Sequence, residues 1–333
     1  MSRAPLSPAS SVATARHSRP WSRASRPVPV GSRSFRSLSG AGLGLVLFLL
    51  LLPALATGQQ APLRIFISVD MEGIGGIGTG AMTSSNGGKD YATGRALMTA
   101  EVNAVVEAIL AAGPAEILVN DSHGDMQNLL HTELDPRVEY IQGSIKPLGM
   151  VQGLDETFDA AIFLGYHARA GTTGGFLAHT GTGAVEGLWI NGTEVGEGGL
   201  NAYAAGALGV PVIVAAGDSA FVSEFSGLVP TVHAVQTKTA IGASVARLLH
   251  PEVVRARLAE ATRAGLAGLG SAHVLTPRAP VTLRLRFDST QQADILMAVP
   301  GMRRVDGYTV EADAPTMERA YALIRLMYRY VRA

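Results

Sequence analysis

The chain has 333 residues, 47% apolar and 16% charged, with 39 glycines and no cysteine. That composition supports one large core or two smaller ones, and it excludes a disordered tail, a coiled coil or a collagen-like rod. Formal charge is zero, but residues 1–58 hold seven arginines and no acid, leaving 20 basic against 27 acidic residues (net −7) in the other 275, which speaks against a nucleic-acid footprint.

Residues 1–40 are rich in Ser, Arg and Pro and lack apolar periodicity. An apolar run follows at 41–52 (AGLGLVLFLLLL), then Pro53 and the triplet Ala54-Leu55-Ala56. A basic flank, a short apolar stretch and a small-x-small site describe a cleaved secretory signal, so the mature protein is expected outside the cytoplasm, periplasmic or secreted. The run falls short of the roughly 20 apolar residues of a membrane span, which leaves an N-terminal membrane anchor as the lesser alternative. Exported proteins often carry disulfides. Without cysteine, this fold must stand on its core alone, and thiolate catalysis and Cys-ligated metals are excluded.

Residues 64–69 (RIFISV) have the β-branched character of a strand. Residues 91–112 read as a helix whose Met98, Val102, Val105, Val106 and Ile109 share one face, with Gly113-Pro114 as the stop. Strands are expected at 116–120 (EILVN), 138–142 and 160–165 (AAIFLG). Residues 186–195 form a hairpin turning at Asn191-Gly192, a type I′ signature. A helix at 197–208 and a strand at 210–215 (VPVIVA) follow. Strands alternating with helices predict an α/β fold, with a mostly parallel sheet covered by helices on both faces.

The character changes after residue 235. Residues 240–249 and 251–267 read as helices, 281–287 (VTLRLRF) as a half-solvated strand and 309–312 as another. A last helix is expected from about Ala314, capped by Asp313, with the core stripe Met317, Tyr321, Ile324, Tyr328, Val331. The expected division is therefore a leader and signal at 1–58, an α/β metal-binding catalytic domain at 63–235, and a smaller C-terminal α+β lobe at 236–333.

Ligand sites in α/β sheets lie beyond the carboxyl ends of the strands. There the sequence places Asp70-Met71-Glu72, Asp121-Ser122-His123-Gly124 and Tyr166-His167, and Glu197 follows the hairpin between two glycines. Residues two apart in extended chain point to one side, so Asp70 and Glu72 reach one site. Taken singly, His123 reads as a turn histidine bonded to Asp121, His167 as a satisfied core histidine, and Glu197 as a complement to a helix dipole. Together, two histidines and three carboxylates at one sheet edge suit zinc, singly or as a carboxylate-bridged pair. His131, His233, His250 and His273 lack such a context, and Asp218-Ser219 reads as a helix cap or a support for the site. The run Gly73–Gly78 fits GxGxxG, but no helix opens at that turn and two carboxylates precede it, so a dinucleotide site is rejected. There is no GxSxG and no GxxxxGK[ST].

SVDMEG (68–73), VNDSHGDM (119–126), GYHARAGT (165–172), FLAHT (176–180), VGEGGLNA (195–202) and GVPV (209–212) resemble, in order, the zinc-dependent D-aminopeptidase family. The resemblance runs from about Arg64 to Leu249 and more loosely beyond. It implies a dinuclear zinc aminopeptidase, two Zn2+ per chain, that releases N-terminal D-amino acids from short peptides. By resemblance, Asp70 bridges the metals, Glu72, His123, His167 and Glu197 complete the ligand set, and His179 is the catalytic histidine. Whether His179 acts as nucleophile or as general acid or base is open at this level. The family also implies a ring-like homo-oligomer. Arg169, where a smaller or apolar residue is expected, and Ser219, in place of an acid, depart from the pattern. Two alternatives stand beside this reading: an exported peptide-binding protein with a vestigial metal site, and a dinuclear metal amidase or esterase on a non-peptide substrate.

Overall fold

The computed structural model describes residues 61–329 and 331. The expected signal sequence lies outside the described residues. In chain order the elements are β1 (Leu63–Val69), α1 (Tyr91–Ala112), β2 (Ala115–Asp121), β3 (Glu139–Ile141), β4 (Ala160–Tyr166), β5 (Val185–Ile190), β6 (Thr193–Glu194) and α2 (Glu197–Ala207). They continue with β7 (Val212–Asp218), α3 (Ser219–Leu228), β8 (His233–Gly242), β9 (Val245–Leu248), α4 (Pro251–Ala267), β10 (Val281–Phe287), α5 (Thr290–Leu296), β11 (Arg303–Arg304), β12 (Thr309–Ala314) and α6 (Met317–Arg329).

The main sheet has the order β3-β2-β1-β4-β7-β8-β9, parallel throughout except for the edge strand β9. Alternation along β1 decides which layer each side chain enters. Ile65, Ile67 and Val69 join the core with α1 and α4, while Phe66 joins the opposite core with α2, α3 and the second sheet. The expected α/β architecture is therefore present, with helices on both faces. Strand order reverses around β1 and β4, where the chain crosses from one side of the sheet to the other. A crevice opens outside the strand ends at such a switch point. Val69 pairs with Asp121 on one side and Leu164 on the other, so residues 70–72, 122–123 and 166–167 emerge together.

A second, antiparallel sheet, β11-β12-β10-β5-β6, packs α6 and α5 against it. Its β5–β6 hairpin turns as expected, with φ of 50° at Asn191 and 84° at Gly192. The division expected after residue 235 does not follow the sheets. β8 runs straight across it, and the second sheet draws β5 and β6 from the earlier part of the chain. Three local expectations are corrected. Residues 240–249 are not helical: Ala240 pairs with Ala246 and Lys238 with Leu248 across a tight turn at Gly242, so sheet pairing overrides a helix-like apolar spacing. Asp313 does not cap the last helix; it lies in β12, and α6 opens at Met317. The helix α5, capped by the Ser289 side chain, was not anticipated.

Candidate metal centre

Glycines let the two central strand ends approach each other. A Cβ on Gly73 would lie 2.0 Å from the Tyr166 carbonyl, and one on Gly165 (φ +69°) would lie 2.2 Å from the Asp70 carbonyl. Backbone bonds from Asp70 N to Leu164 O (2.8 Å) and from Gly73 N to Gly165 O (2.7 Å) fix this crossing. The turn after β1 is held from behind as well. Buried Lys238 on β8 donates to the carbonyls of Glu72 and Ile77, and buried Glu101 on α1 accepts from Gly75 N at 2.6 Å. Beneath the site, Ser68 Oγ bonds Ser122 Oγ and Tyr166 Oη. Asn201 on α2 donates to that phenol and accepts from Tyr321 on α6. This buried network ties four elements to one floor.

All five expected ligand residues and His179 converge. One group is Asp70, Glu72 and His123; the other is His167, His179 and Glu197. Asp70 faces both: Oδ1 is 3.1 Å from His123 Nδ1, and Oδ2 is 3.5 Å from His167 Nε2. Glu72 Oε2 is 3.1 Å from His123 Nδ1, and Glu197 Oε2 is 3.6 Å from His167 Nε2. His123 is not bonded to Asp121. That carboxylate accepts from Asn128, Leu129 and Gln142 and so shapes the loop behind His123.

The second nitrogen of each histidine fixes its tautomer. His123 Nε2 lies 2.8 Å from the Thr83 carbonyl, His167 Nδ1 2.9 Å from that of Ala168, and His179 Nδ1 2.9 Å from that of Leu177. A carbonyl only accepts, so each of these nitrogens carries a proton. The other nitrogen then points a lone pair into the site, as metal-ligating histidines do. Asp70 Oδ2, Glu72 Oε2 and His167 Nε2 are buried with no hydrogen bond. Buried polar atoms without partners are rare and costly. Asp70 Oδ2 and His167 Nε2 face each other at 3.5 Å, and Glu72 Oε2 belongs to the neighbouring group with Asp70 and His123, so each group leaves buried ligand atoms that fit a cation.

Electrostatics agree. Burial, then the Glu72 charge, pushes the Asp70 carboxyl up to about 7. Burial opposes charge on His167, but Glu197 overrides it and lifts the imidazole to about 10. His123 is likewise raised against its burial by Glu72, and Glu197, against its own burial, is held down to about 2 by His167. The acids pull protons onto nitrogens that would otherwise coordinate, and a divalent cation satisfies the same field without them.

His179 is firmly held. Its ring stacks on His167 with centroids 4.1 Å apart and planes 14° from parallel, and Nε2 is 3.7 Å from Glu197 Oε1. Its side chain remains 31% exposed, against 1% for His167. Arg169 turns away into pairs with Glu224 and Glu194, and Asp218 both caps α3 and accepts from Ala168 N. Both hold the His167 loop. Sequence reading missed Lys238, Glu101 and the α6 residues lining the site, which carry no motif.

A family comparison covers this whole region: the D-aminopeptidase family, peptidase M55, matches residues 63–326. A D-aminopeptidase of Bacillus subtilis strain 168 is 38% identical over 266 residues, which is 80% of this chain and 96% of that protein. A solved structure, described as the Zn-dependent D-aminopeptidase DppA from Bacillus subtilis, a self-compartmentalizing protease, superposes with a TM-score of 0.77. It is 37% identical and covers 81% of this chain and all of its own. The protein is thus a hydrolase, a peptidase built on a metal-binding α/β scaffold. More narrowly, the chain belongs to the D-aminopeptidase family.

Proposed function

We propose that this protein is a zinc aminopeptidase that binds two ions per chain and releases N-terminal D-amino acids from short peptides. The observation that carries the metal reading is Asp70, whose two oxygens face separate histidines while its buried Oδ2 has no hydrogen-bond partner. Asp70, Glu72 and His123 would hold one ion; Asp70, His167 and Glu197 would hold the other. Bound divalent metal supplies Lewis-acid polarisation of the scissile carbonyl and lowers the pKa of water.

The chain's own residues do the rest. His179 Nε2 bears the free lone pair and is partly exposed to the cavity, so it accepts the proton of the attacking water and returns it to the leaving amine. Glu197 Oε1, 3.7 Å away, stabilises that imidazolium while also accepting from Gly181 N at 2.5 Å. The free α-amine of the substrate would dock against a carboxylate or a metal of this site, which selects peptides by their N-terminus. D-stereospecificity rests on family membership. The self-compartmentalizing relative supports a ring-like homo-oligomer, and the leader at 1–58 supports export with cleavage between about Thr57 and Ala61.

The test is a matched pair of peptides on protein of measured zinc content. D-Ala-Gly-Gly is cleaved and L-Ala-Gly-Gly is not. Equal rates on both would remove the D-specific reading and leave the metal site standing; cleavage of neither would favour the peptide-binding or amidase alternative.

A further inference from the structure

The metal centre opens on a cavity of about 90 Å3 with two unlike walls. One carries Asp70, His123 and Glu197; the other is the last turn of α6, with Tyr328 and Arg329. The α6 wall is built rather than incidental. Arg325 is buried, donates to the Lys146 carbonyl (3.0 Å) and to Tyr328 Oη (3.2 Å), and lies over the Tyr328 ring. Gly149 (φ +50°) makes room for that guanidinium, since a Cβ there would lie 2.8 Å from its carbon. On the other side the Tyr328 ring packs on Gly181, whose Cβ would fall 2.8 Å from it.

Tyr328 and Arg329 both line the cavity and both carry donors. Tyr328 Oη accepts from Arg325, so its own proton is directed elsewhere. Arg329, one helical turn after Arg325 and half-buried, has as its hydrogen bond among the described residues a 3.5 Å donation to the Gly124 carbonyl. No carboxylate of the described residues lies within ion-pair distance of it, whereas Arg169, Arg284, Arg286, Arg303 and Arg304 each have one. A half-buried guanidinium with open donors is a bidentate receptor for a carboxylate.

The peptide supplies such a group. In a di- or tripeptide the C-terminal carboxylate follows the scissile bond by one or two residues, roughly 3.5 Å each. Arg329 lines the same cavity as Asp70, His123 and Glu197 and touches Gly124, the neighbour of His123. Arg329 supplies a cation on the α6 wall, opposite the metal-binding side chains.

We propose that Arg329, with the Tyr328 hydroxyl, binds the C-terminal carboxylate of the substrate and restricts this enzyme to di- and tripeptides; this rests on the aminopeptidase reading above. The test compares D-Ala-Gly with its C-terminal amide on zinc-loaded protein. Wild-type protein favours the acid by roughly ten- to a hundredfold in kcat/KM, mainly through KM, the range of one charge-assisted contact. Arg329→Met loses that preference with zinc content and amide turnover unchanged, and Arg329→Lys keeps part of it. The acid-to-amide ratio of the wild type is itself decisive should the variant fold poorly. A ratio near one, or a preference retained in Arg329→Met, overturns this proposal alone. No turnover of either peptide overturns the aminopeptidase reading and this one with it.

Discussion

Asp70 Oδ2 lies 3.5 Å from His167 Nε2, and both atoms are buried without a hydrogen bond. The two residues leave neighbouring parallel strands, β1 and β4, at the point where the sheet reverses its order of winding. The contact is thus a consequence of topology, set by register before any side chain chooses a rotamer. On its other side Asp70 faces His123, delivered by β2. Three strand ends therefore converge on one carboxylate.

Asp70→Ala should remove both metal ions together, because among the described residues its two oxygens face His123 and His167. Metal analysis of purified wild-type protein is expected to give close to two divalent ions per chain, and the variant close to none. Glu72→Ala and Glu197→Ala should each lower the content by about one ion. An Asp70→Ala protein with undiminished metal would show that the two groups bind independently.

Much of this site was legible because chemistry and topology coincide. Asp70, Glu72, His123 and His167 interrupt strand ends, where side chains of that type have few structural uses, and Glu197 opens a helix between two glycines. The parts that escaped are those whose meaning is set by distant chain. Lys238 looks like an ordinary strand lysine until β8 lands beside the turn after β1. Tyr328 belongs to an apolar helical stripe and serves as core, yet its edge also lines the cavity. Residues 240–249 carry a helical spacing, but the edge of the main sheet claimed them.

Gly73→Ala should be severely destabilising and should also lose metal. Its Cβ would meet the Tyr166 carbonyl at 2.0 Å, and neither backbone can retreat without separating Asp70 from His167. A loss of at least about 2 kcal/mol in urea unfolding is expected, in the upper range for single substitutions. Gly87→Ala is the control for backbone freedom without crowding, since its φ is +83° and nothing lies within 4 Å. It should cost much less and keep its metal.

Glu101 gives stability a pH dependence that can be isolated. Burial raises its carboxyl from 4.5 to about 7. A carboxyl raised in the folded state contributes stability that is complete below about pH 4.5 and is lost as pH rises through about 7. Glu101→Gln keeps an acceptor for Gly75 N without the charge. Relative to wild type, the variant should therefore gain stability between pH 5 and pH 8, by at most about 3 kcal/mol. Paired urea titrations at the two pH values measure the difference, and a gap that does not change with pH would refute it.

The two stacked histidines should fail differently. His167 is 1% exposed, its Nδ1 is committed to the Ala168 carbonyl, and its Nε2 faces Asp70 and Glu197 with no hydrogen bond. Everything about it suits coordination, so His167→Ala should lose metal and activity together. His179 stacks on that ring, and its Nε2 lies 3.7 Å from Glu197 Oε1. A base that accepts and returns a proton must be reachable by substrate, and 31% exposure gives it that access. His179→Ala should keep its metal and lose at least about 10²-fold in kcat, the usual contribution of a positioned proton-transfer group. KM for a D-alanyl peptide should change little. If metal analysis instead shows His179→Ala depleted as far as His167→Ala, then His179 completes a ligand set with His167 and Glu197, and the proton must travel by another residue.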